Sequence, residues 1–185
     1  MMVLINGKSG DKISVLDRGL QYGDGVFETI AYRNGVAEFL DQHLTRLKTS
    51  CELLAINFEQ MDLLRTELNM VFDTILTEPA VIKITVTRGV GGRGYFSDNS
   101  AMPTRIISTY AYPSHPENYQ RDGVMLRFCE QTLSMNRRLA GIKHLNRLEQ
   151  VLARNEWNDP DIAEGIMTGD DGNVIEGTMS NIFIV

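Results

Sequence analysis

Alternating apolar and polar positions dominate the first part of the chain, and this period of two indicates β-strands. We predict strands in four segments, "MVLIN", "VFETIAYRNGVAEFL", "AVIKITVTRG" and "TRIISTYAY". The second segment contains Asn34 and Gly35 between two apolar runs, a pair that strongly favours a tight hairpin turn. The sequence therefore predicts an antiparallel layer of strands near the N-terminus.

Two stretches between these strands have the spacing of helices instead. Apolar residues recur three or four positions apart from Leu40 to Leu54, and Asp41 is a candidate N-cap for this helix. A second helix is predicted from about Glu59 to Leu76. Strands with helices packed on them indicate the α+β class.

The polar segment "PSHPENYQRD", with two prolines, is the best candidate for a linker between two domains. We predict an N-terminal α/β domain over 1–112, a linker over 113–122 and a C-terminal domain over 123–185. In the C-terminal domain the patterns predict a strand over 124–130, a helix beginning near Lys143, and strands in "EGIMTG", "VIEG" and "NIFIV". Because "NIFIV" is an apolar run with no polar tail, we expect the C-terminal domain to be truncated.

Composition excludes several classes of function. The 185 residues are 43% hydrophobic and 23% charged, which is ordinary for a globular protein. A net charge of −6 disfavours binding to nucleic acid or to an anionic membrane. No segment approaches the ~18 apolar residues of a membrane span or contains a secretory signal, so we expect a cytoplasmic location. Two cysteines and three histidines lack metal-ligand spacing, and no metal site is predicted.

Taken alone, each candidate for chemistry has an ordinary structural explanation. On the predicted helix, Lys143 falls on the polar stripe, and most lysines on such a stripe are solvated. His43 and Arg46 lie three residues apart on one helix face, where a solvated pair is the simpler interpretation. The segment "TRGVGGRGYF" is either an anion-binding loop or a plain flexible loop, since it lacks the Gly-Lys-Ser/Thr ending of a phosphate loop.

Five motifs in a fixed order change this picture. "DRGLQYGDGVFET", "QHLTRL", "TRGVGGRGYF", "GIKHLNRLEQVL" and "EGTMSNIF" together resemble the motifs of fold-type IV pyridoxal-phosphate enzymes. This family includes branched-chain and D-amino-acid aminotransferases and aminodeoxychorismate lyases, and "RGVGGRGY", "AYPSH" and "LAGIKHLNRLEQVL" are most similar to the lyases. The resemblance implies a small N-terminal α/β domain, a strand-rich C-terminal domain, and a homodimer in which the second subunit completes the pocket.

The resemblance also implies roles for individual residues. Lys143 matches the lysine that forms the Schiff base with pyridoxal 5′-phosphate and transfers protons. Glu176 matches the carboxylate that faces the pyridine nitrogen, and Arg46 the arginine that binds the phosphate. Further contacts implied by the resemblance are Thr178, Ser180 and Asn181 near the cofactor, Arg93 and Tyr95 at a substrate carboxylate, Arg88 either at the substrate or fixing the loop, and Thr29 beside the substrate or the lysine.

The function that the resemblance implies is a lyase that converts 4-amino-4-deoxychorismate to 4-aminobenzoate and pyruvate in folate biosynthesis. A fold-type IV aminotransferase acting on D-amino or branched-chain amino acids is the nearest alternative, because "GVFET", which contains Glu28, resembles the aminotransferase strand equally well. A third alternative is an inactive fragment.

Overall fold

The computed structural model describes residues 1–97 and 100–184, and its chain forms two compact units. The first unit comprises Met1–Pro113 with Gly141–Asn146, and the second comprises Ser114–Ala140 with Arg147–Val185. Strands and helices occur in both, so the predicted α+β class is confirmed. None of the helices in the described ranges combines the length and the apolar character needed to cross a bilayer.

The first unit is built on a six-stranded antiparallel sheet of order β2-β1-β6-β5-β3-β4. Its strands are β1 (Val3–Ile5), β2 (Lys8–Ser9), β3 (Gly25–Arg33), β4 (Val36–Ala37), β5 (Ala80–Thr87) and β6 (Thr104–Ala111). The predicted hairpin turn is confirmed: Asn34 and Gly35 join β3 to β4 with φ of 53° and 77°, the left-handed values that a tight hairpin turn requires.

Three helices belong to this unit: α1 (Arg18–Tyr22), α2 (Leu40–Leu53) and α3 (Met61–Ile75). The prediction that Asp41 caps α2 is wrong. Phe39, in a left-handed conformation after the short β4, occupies the N-cap without a side-chain hydrogen bond. Asp41 lies in the first turn, where its charge still complements the helix dipole, and it pairs with Arg65 at 2.7 Å.

The two faces of this sheet differ in burial, as the alternation along its strands predicts. On one face of β3, Val26, Glu28 and Ile30 are fully buried. Helix α2, in which Leu44 and Leu47 are buried, packs against this strand. The opposite face carries less buried residues, among them Phe27 and Thr29. One face therefore forms the core of the unit, and the other leaves side chains accessible.

The second unit has a smaller sheet of order β7-β8-β9, in which β7 and β8 are parallel and β8 and β9 antiparallel. Its elements are α4 (Asn118–Asp122), β7 (Met125–Phe128), α5 (Leu148–Arg154), β8 (Ile162–Thr168) and β9 (Val174–Gly177). Cys129, Ala153, Trp157 and Met167 form its buried core. Helix α4 lies within the segment predicted as a linker, and the predicted domain boundaries stay predictions.

Two sequence predictions for the C-terminal half are wrong. The helix does not begin near Lys143, because α5 starts at Leu148 and residues 143–145 are paired with a strand instead. "NIFIV" forms no strand over its described residues, 181–184. A β-rich sequence becomes a strand only when a neighbour pairs with it, and no described strand pairs with this segment.

Candidate functional site

Lys143 lies on a short extended segment, residues 143–145, which we call the edge segment. This segment pairs antiparallel with the start of β3: the Phe27 amide donates to the Lys143 carbonyl at 2.9 Å, and the Leu145 amide donates to the Gly25 carbonyl at 3.0 Å. β4 pairs only with the far end of β3, so this stretch of the strand edge is free for the edge segment. Backbone pairing thus fixes where the Lys143 side chain begins.

The Lys143 amine lies over an aromatic ring on the accessible face of the sheet. Its Nζ is 4.7 Å from the centre of the Phe27 ring, and the Nζ of Lys83 is 5.0 Å from the same centre. Lys83 is opposite Thr29 in the β3–β5 register, so Phe27, Thr29 and Lys83 share one face. No carboxylate among the described residues is within ion-pair distance of Lys83.

Sequence reasoning missed Lys83, although a signal was present. It interrupts the apolar run "AVIKITV", in which a lysine is uncommon unless its amine has a task or reaches solvent. The structure brings Lys83, Lys143 and Thr29 together, and the register that does so cannot be read from one sequence.

Arg46 and His43 both contact a buried carboxylate, so the interpretation of a solvated pair is wrong. Glu28 is 1% exposed and accepts from Arg46 Nε at 2.6 Å and Arg46 Nη2 at 2.5 Å. His43 Nδ1 lies 2.7 Å from the second carboxylate oxygen. The hydrogen bond to Glu28 raises the pKa of Arg46, which burial opposes. Glu28 therefore holds the guanidinium in one orientation.

Part of the Arg46 guanidinium remains available to a ligand. The side chain is 50% exposed, and its Nη1 has no hydrogen bond to any residue in the described ranges. A cleft of about 550 Å³ lies beside it, lined by Thr45, Thr49, Ser50 and Gly141 among others. Gly141 precedes Lys143 by two residues, so the same short segment borders the cleft and carries the lysine.

The arginines and the tyrosine of the segment "TRGVGGRGYF" have different environments. Arg93 is exposed, and Tyr95 is 88% exposed. Arg88 is buried: its guanidinium binds Asp24, and it donates to the carbonyls of Leu54 and Ala55 at 2.7 Å and 2.6 Å. These contacts favour a structural role for Arg88 over a direct role at the substrate.

In the second unit, Glu176 lies on β9 and is half-buried. Gln150 on α5 donates through Nε2 to Glu176 Oε1 at 3.2 Å. The other amide atom, Gln150 Oε1, is buried and has no hydrogen-bond partner among the described residues. Burial lowers the pKa of Arg147, and the charges of Glu176 and Glu149 oppose this effect. Polar groups thus lie next to the Glu176 carboxylate, and one of them, Gln150 Oε1, can still accept a hydrogen bond.

The hydroxyl groups after β9 are engaged by a carboxylate that sequence reasoning missed. Glu164 on β8 accepts from Thr178 Oγ1 at 2.5 Å and from Ser180 Oγ at 2.9 Å. Burial raises the pKa of Glu164, but these and two backbone hydrogen bonds outweigh it and hold the pKa below its usual range. Asn181 is exposed. Glu164 therefore fixes the turn that follows Glu176.

Comparison with known proteins identifies the family. The model of the family "Amino-transferase class IV" matches residues 25–185. Aminodeoxychorismate lyase from Vibrio harveyi is 38% identical over 185 residues, which are 100% of this chain and 67% of that protein. A putative branched-chain-amino-acid aminotransferase from Methanocaldococcus jannaschii is 36% identical over 194 residues, covering 100% of this chain and 65% of that protein.

A solved structure is similar as well. The crystal structure of 4-amino-4-deoxychorismate lyase from Pseudomonas aeruginosa matches with a TM-score of 0.89 and 44% identity, over 96% of this chain and 65% of that one. The chain thus spans about two thirds of the length of these relatives. Since the family model matches most of the sequence, from residue 25 to residue 185, the chain belongs to the class IV aminotransferase family.

Proposed function

We propose that this chain carries the catalytic residues of an aminodeoxychorismate lyase, which converts 4-amino-4-deoxychorismate to 4-aminobenzoate and pyruvate with pyridoxal 5′-phosphate. The observation that carries the proposal is the Lys143 amine, held over Phe27 by backbone pairing and accompanied by Lys83 on the same ring. Identities of 38% and 44% to two lyases support the choice of reaction. We expect this reaction to take place in the cytoplasm and to serve folate biosynthesis.

The cofactor of the family, pyridoxal 5′-phosphate, fits the groups that are present. The Lys143 amine would bond to the aldehyde, and Arg46 Nη1, which has no hydrogen bond to the described residues, would bind phosphate oxygens. In the second unit, Glu176 is the carboxylate that we propose for the ring nitrogen. Gln150 Oε1, which has no hydrogen-bond partner among the described residues, can accept from a polar group bound next to that carboxylate. Because Glu164 engages the hydroxyls of Thr178 and Ser180, we assign these residues and Asn181 to shaping the cofactor site mainly through their backbone.

In the proposed reaction, acidic and basic side chains of the chain each hold or move a proton. When bound, pyridoxal phosphate supplies an electron sink for the bond that breaks at the carbon bearing the substrate amine. Lys143 would take the proton from that carbon, and the negative charge of Glu176 would favour a protonated ring nitrogen. The adjacent carbon then loses the enolpyruvyl oxygen, and protonation of this leaving group yields pyruvate. The reaction is an elimination without net oxidation, and the aromatic ring of the product favours it.

The substrate has two carboxylates, and the accessible face of the sheet offers cations for them. Lys83 has no carboxylate partner among the described residues and lies on the face that carries Thr29. We propose that Lys83 binds one carboxylate, that Thr29 positions the substrate or the lysine, and that Arg93 and Tyr95 bind the other carboxylate.

Product analysis tests the reaction. The protein is supplied with pyridoxal phosphate and 4-amino-4-deoxychorismate, and 4-aminobenzoate and pyruvate are measured. We expect equal amounts of both, loss of both in Lys143→Ala, and retention in Lys48→Ala, which removes an exposed lysine from α2. Formation of neither product by a protein that binds the cofactor would contradict the proposal.

An aminotransferase is the second candidate, favoured by the 36% identity to a putative branched-chain enzyme. The test is transfer of an amino group from a branched-chain or D-amino acid to a 2-oxo acid. Transfer without aminobenzoate formation would establish this alternative instead. An inactive fragment, the third alternative, is identified by a folded protein that forms neither set of products and binds no cofactor.

We also propose that the chain forms a homodimer. Val15, Leu16, Leu20 and Val90 are large apolar residues of the first unit that are 50–73% exposed. Backbone hydrogen bonds bring them together, since Gly91 donates to the Leu16 carbonyl and Asp17 bridges to Val90. Clustered apolar exposure of this kind is typical of a protein interface. Sedimentation velocity should show a dimer that Leu20→Asp dissociates, and a monomeric parent protein would contradict this proposal.

A further inference from the structure

Arg18, in the motif "DRGLQYGDG", uses its whole guanidinium to bind the loop that carries Arg93 and Tyr95. The residue is 4% exposed. Its Nη1 donates to the Gly94 carbonyl at 2.9 Å and its Nη2 to the Tyr95 carbonyl at 2.9 Å, with a longer contact of 3.5 Å from Nη1 to the Phe96 carbonyl. Its Nε donates to Asp24 at 2.8 Å. One buried side chain thus holds three consecutive loop carbonyls.

Tyr22 holds the same loop from a second direction. Its hydroxyl accepts from the Gly94 amide at 3.1 Å, and its ring meets the Tyr95 ring edge to face at 5.4 Å. The Arg18 guanidinium lies 4.9 Å from the centre of the Tyr22 ring. Arg18 and Tyr22 are both on α1, so this single turn of helix acts as the support of residues 91–96.

Close packing leaves the loop little freedom next to Arg18. A Cβ on Gly91 would lie 2.7 Å from Arg18 Cδ, so only glycine allows the backbone to approach this side chain so closely. The Gly91 amide also donates to the Leu16 carbonyl at 3.2 Å. The base of the loop is therefore fixed on the residues just before α1.

Asp24 connects this support to α2. Its Oδ2 accepts from Arg18 and from Arg88, each at 2.8 Å, and Arg88 in turn donates to the carbonyls of Leu54 and Ala55 at the end of α2. These two residues directly follow α2, and Arg88 satisfies their carbonyls. The loop and the helix that carries Arg46 are thus joined through one carboxylate.

We propose that Arg18 is a positioning residue that fixes the direction in which Arg93 and Tyr95 leave the loop. This inference rests on the proposed function, in which those two side chains bind a substrate carboxylate. Arg18 does not act on the substrate itself, because its donors are taken by Asp24 and the loop carbonyls. Its effect is to keep an exposed arginine and an exposed tyrosine in one arrangement before substrate arrives.

The geometry requires arginine rather than a positive charge alone. A planar fork reaches a carboxylate and carbonyls of successive residues at once, whereas a lysine amine is a single point charge on a flexible stem. Arg18→Lys should keep the charge beside Asp24 and lose most of the hold on the loop. The lysine variant therefore separates positioning from simple charge balance.

Limited trypsin digestion measures the loop without any need for activity. Trypsin cleaves after Arg93 only when the loop opens, and Arg121, 79% exposed in the second unit, provides an internal reference site. We expect cleavage after Arg93, relative to Arg121, to rise about tenfold or more in Arg18→Met and Arg18→Lys, because opening governs such cleavage. Tyr22→Phe, which removes only the hydroxyl, should show a smaller rise in cleavage after Arg93. If the Arg18 variants do not fold, this variant tests whether α1 holds the loop. Arg33→Lys changes an exposed ion pair on the six-stranded sheet and should cause no rise in cleavage after Arg93.

Steady-state kinetics of the cofactor-loaded protein provide a second test of the role of Arg18. Arg18→Lys should raise KM for the anionic substrate about tenfold and change kcat much less, as expected for a misplaced binding group. Unchanged cleavage after Arg93 in the folded variants would overturn the inference, and so would faster cleavage with an unchanged KM. If no variant and no parent protein turns over substrate, the proposed function fails, and the cleavage ratios alone decide whether Arg18 holds the loop.

Discussion

At the scale of single residues, the shared carboxylate Glu28 is the feature that the sequence could not show. The spacing of His43 and Arg46 places them on one helix face, which can be read from the sequence. Their partner is on a strand, and its side chain points into the core only because of the alternation along β3. Glu28 accepts from two nitrogens of the Arg46 guanidinium, and Nη1 has no hydrogen bond to the described residues, so we expect stability and cofactor binding both to depend on this pair.

Arg46→Ala should therefore cause two separable losses. It leaves Glu28 buried with His43 as its remaining partner, which should lower the free energy of unfolding by about 1–3 kcal/mol. It should also weaken phosphate and cofactor binding. In the double variant Arg46→Ala with Glu28→Gln, urea denaturation should show most of the stability recovered, while cofactor titration should show affinity still reduced. Recovery of both would mean that Arg46 serves only to pair with Glu28.

Asp24 predicts a pH dependence of stability. Burial raises the pKa of this carboxyl, but hydrogen bonds from Arg88 and Arg18 outweigh burial and hold the pKa below its ordinary value. A depressed folded-state pKa stabilises the protein above the unfolded value, roughly 3.9, and this stabilisation is lost as the pH falls through the folded pKa. Asp24→Asn should thus lower the free energy of unfolding by about 1–3 kcal/mol at pH 7.

The difference between the two proteins should shrink as the pH falls below about 4, because Asp24 of the unfolded parent protein then binds a proton, and it should vanish once the folded carboxyl is protonated as well. Thermal unfolding followed by circular dichroism from pH 7 to pH 3 measures it. A constant difference over this range would contradict the role of the charged carboxylate.

At the scale of elements, the edge segment decides where the lysine is presented. The sequence "GIKHLNRLEQVL" has helical spacing, and the prediction of a helix from Lys143 followed from that period. Tertiary pairing overrides it, since residues 143–145 satisfy backbone groups of β3, a strand far away in the sequence. Local signals such as Asn34-Gly35 were predictable because both partners of the turn are adjacent in the chain.

Gly25→Ala should displace the edge segment. A Cβ at this position would lie 2.8 Å from Leu145 Cδ1 and 2.6 Å from the Val86 carbonyl oxygen, so something must move. We expect a loss of about 1–3 kcal/mol in the free energy of unfolding, together with weaker attachment of cofactor to Lys143. Gly10→Ala is the matched control, because the added Cβ would lie at an ordinary contact distance of 3.9 Å from Ile5 Cδ1. Normal cofactor attachment in Gly25→Ala would show that the edge segment does not position the lysine.

At the scale of the whole molecule, the two units differ in how much apolar surface they bury. Four residues, Cys129, Ala153, Trp157 and Met167, are the buried apolar side chains of the second unit among those described, whereas the first unit has two helices packed on a six-stranded sheet. Several large apolar residues of the second unit are exposed instead, including Phe128, Leu148 and Leu152. Sequence periodicity predicted both helices and strands in the second unit, but it did not predict how few apolar side chains are buried there.

Hydrogen exchange should therefore distinguish the units. Amides of β7, β8 and β9 should exchange through openings of lower free energy than amides of β3, β5 and β6, because fewer buried contacts oppose their opening. Mass spectrometry of peptides from each sheet measures the difference in native conditions. Equal protection of the two sheets would contradict the contrast in burial.

Lys143 is the lysine that we propose to bond to the cofactor, and borohydride reduction can locate this bond in the chain. The chain has five lysines, at positions 8, 12, 48, 83 and 143, so peptide mapping after reduction with excess pyridoxal phosphate can assign the adduct. We predict a reduced adduct on the tryptic peptide Leu139–Arg147, in which modified Lys143 resists cleavage, with Lys83 and the other lysines largely unmodified. A folded protein with no adduct, or with the adduct mainly on Lys83, would contradict the assignment of Lys143.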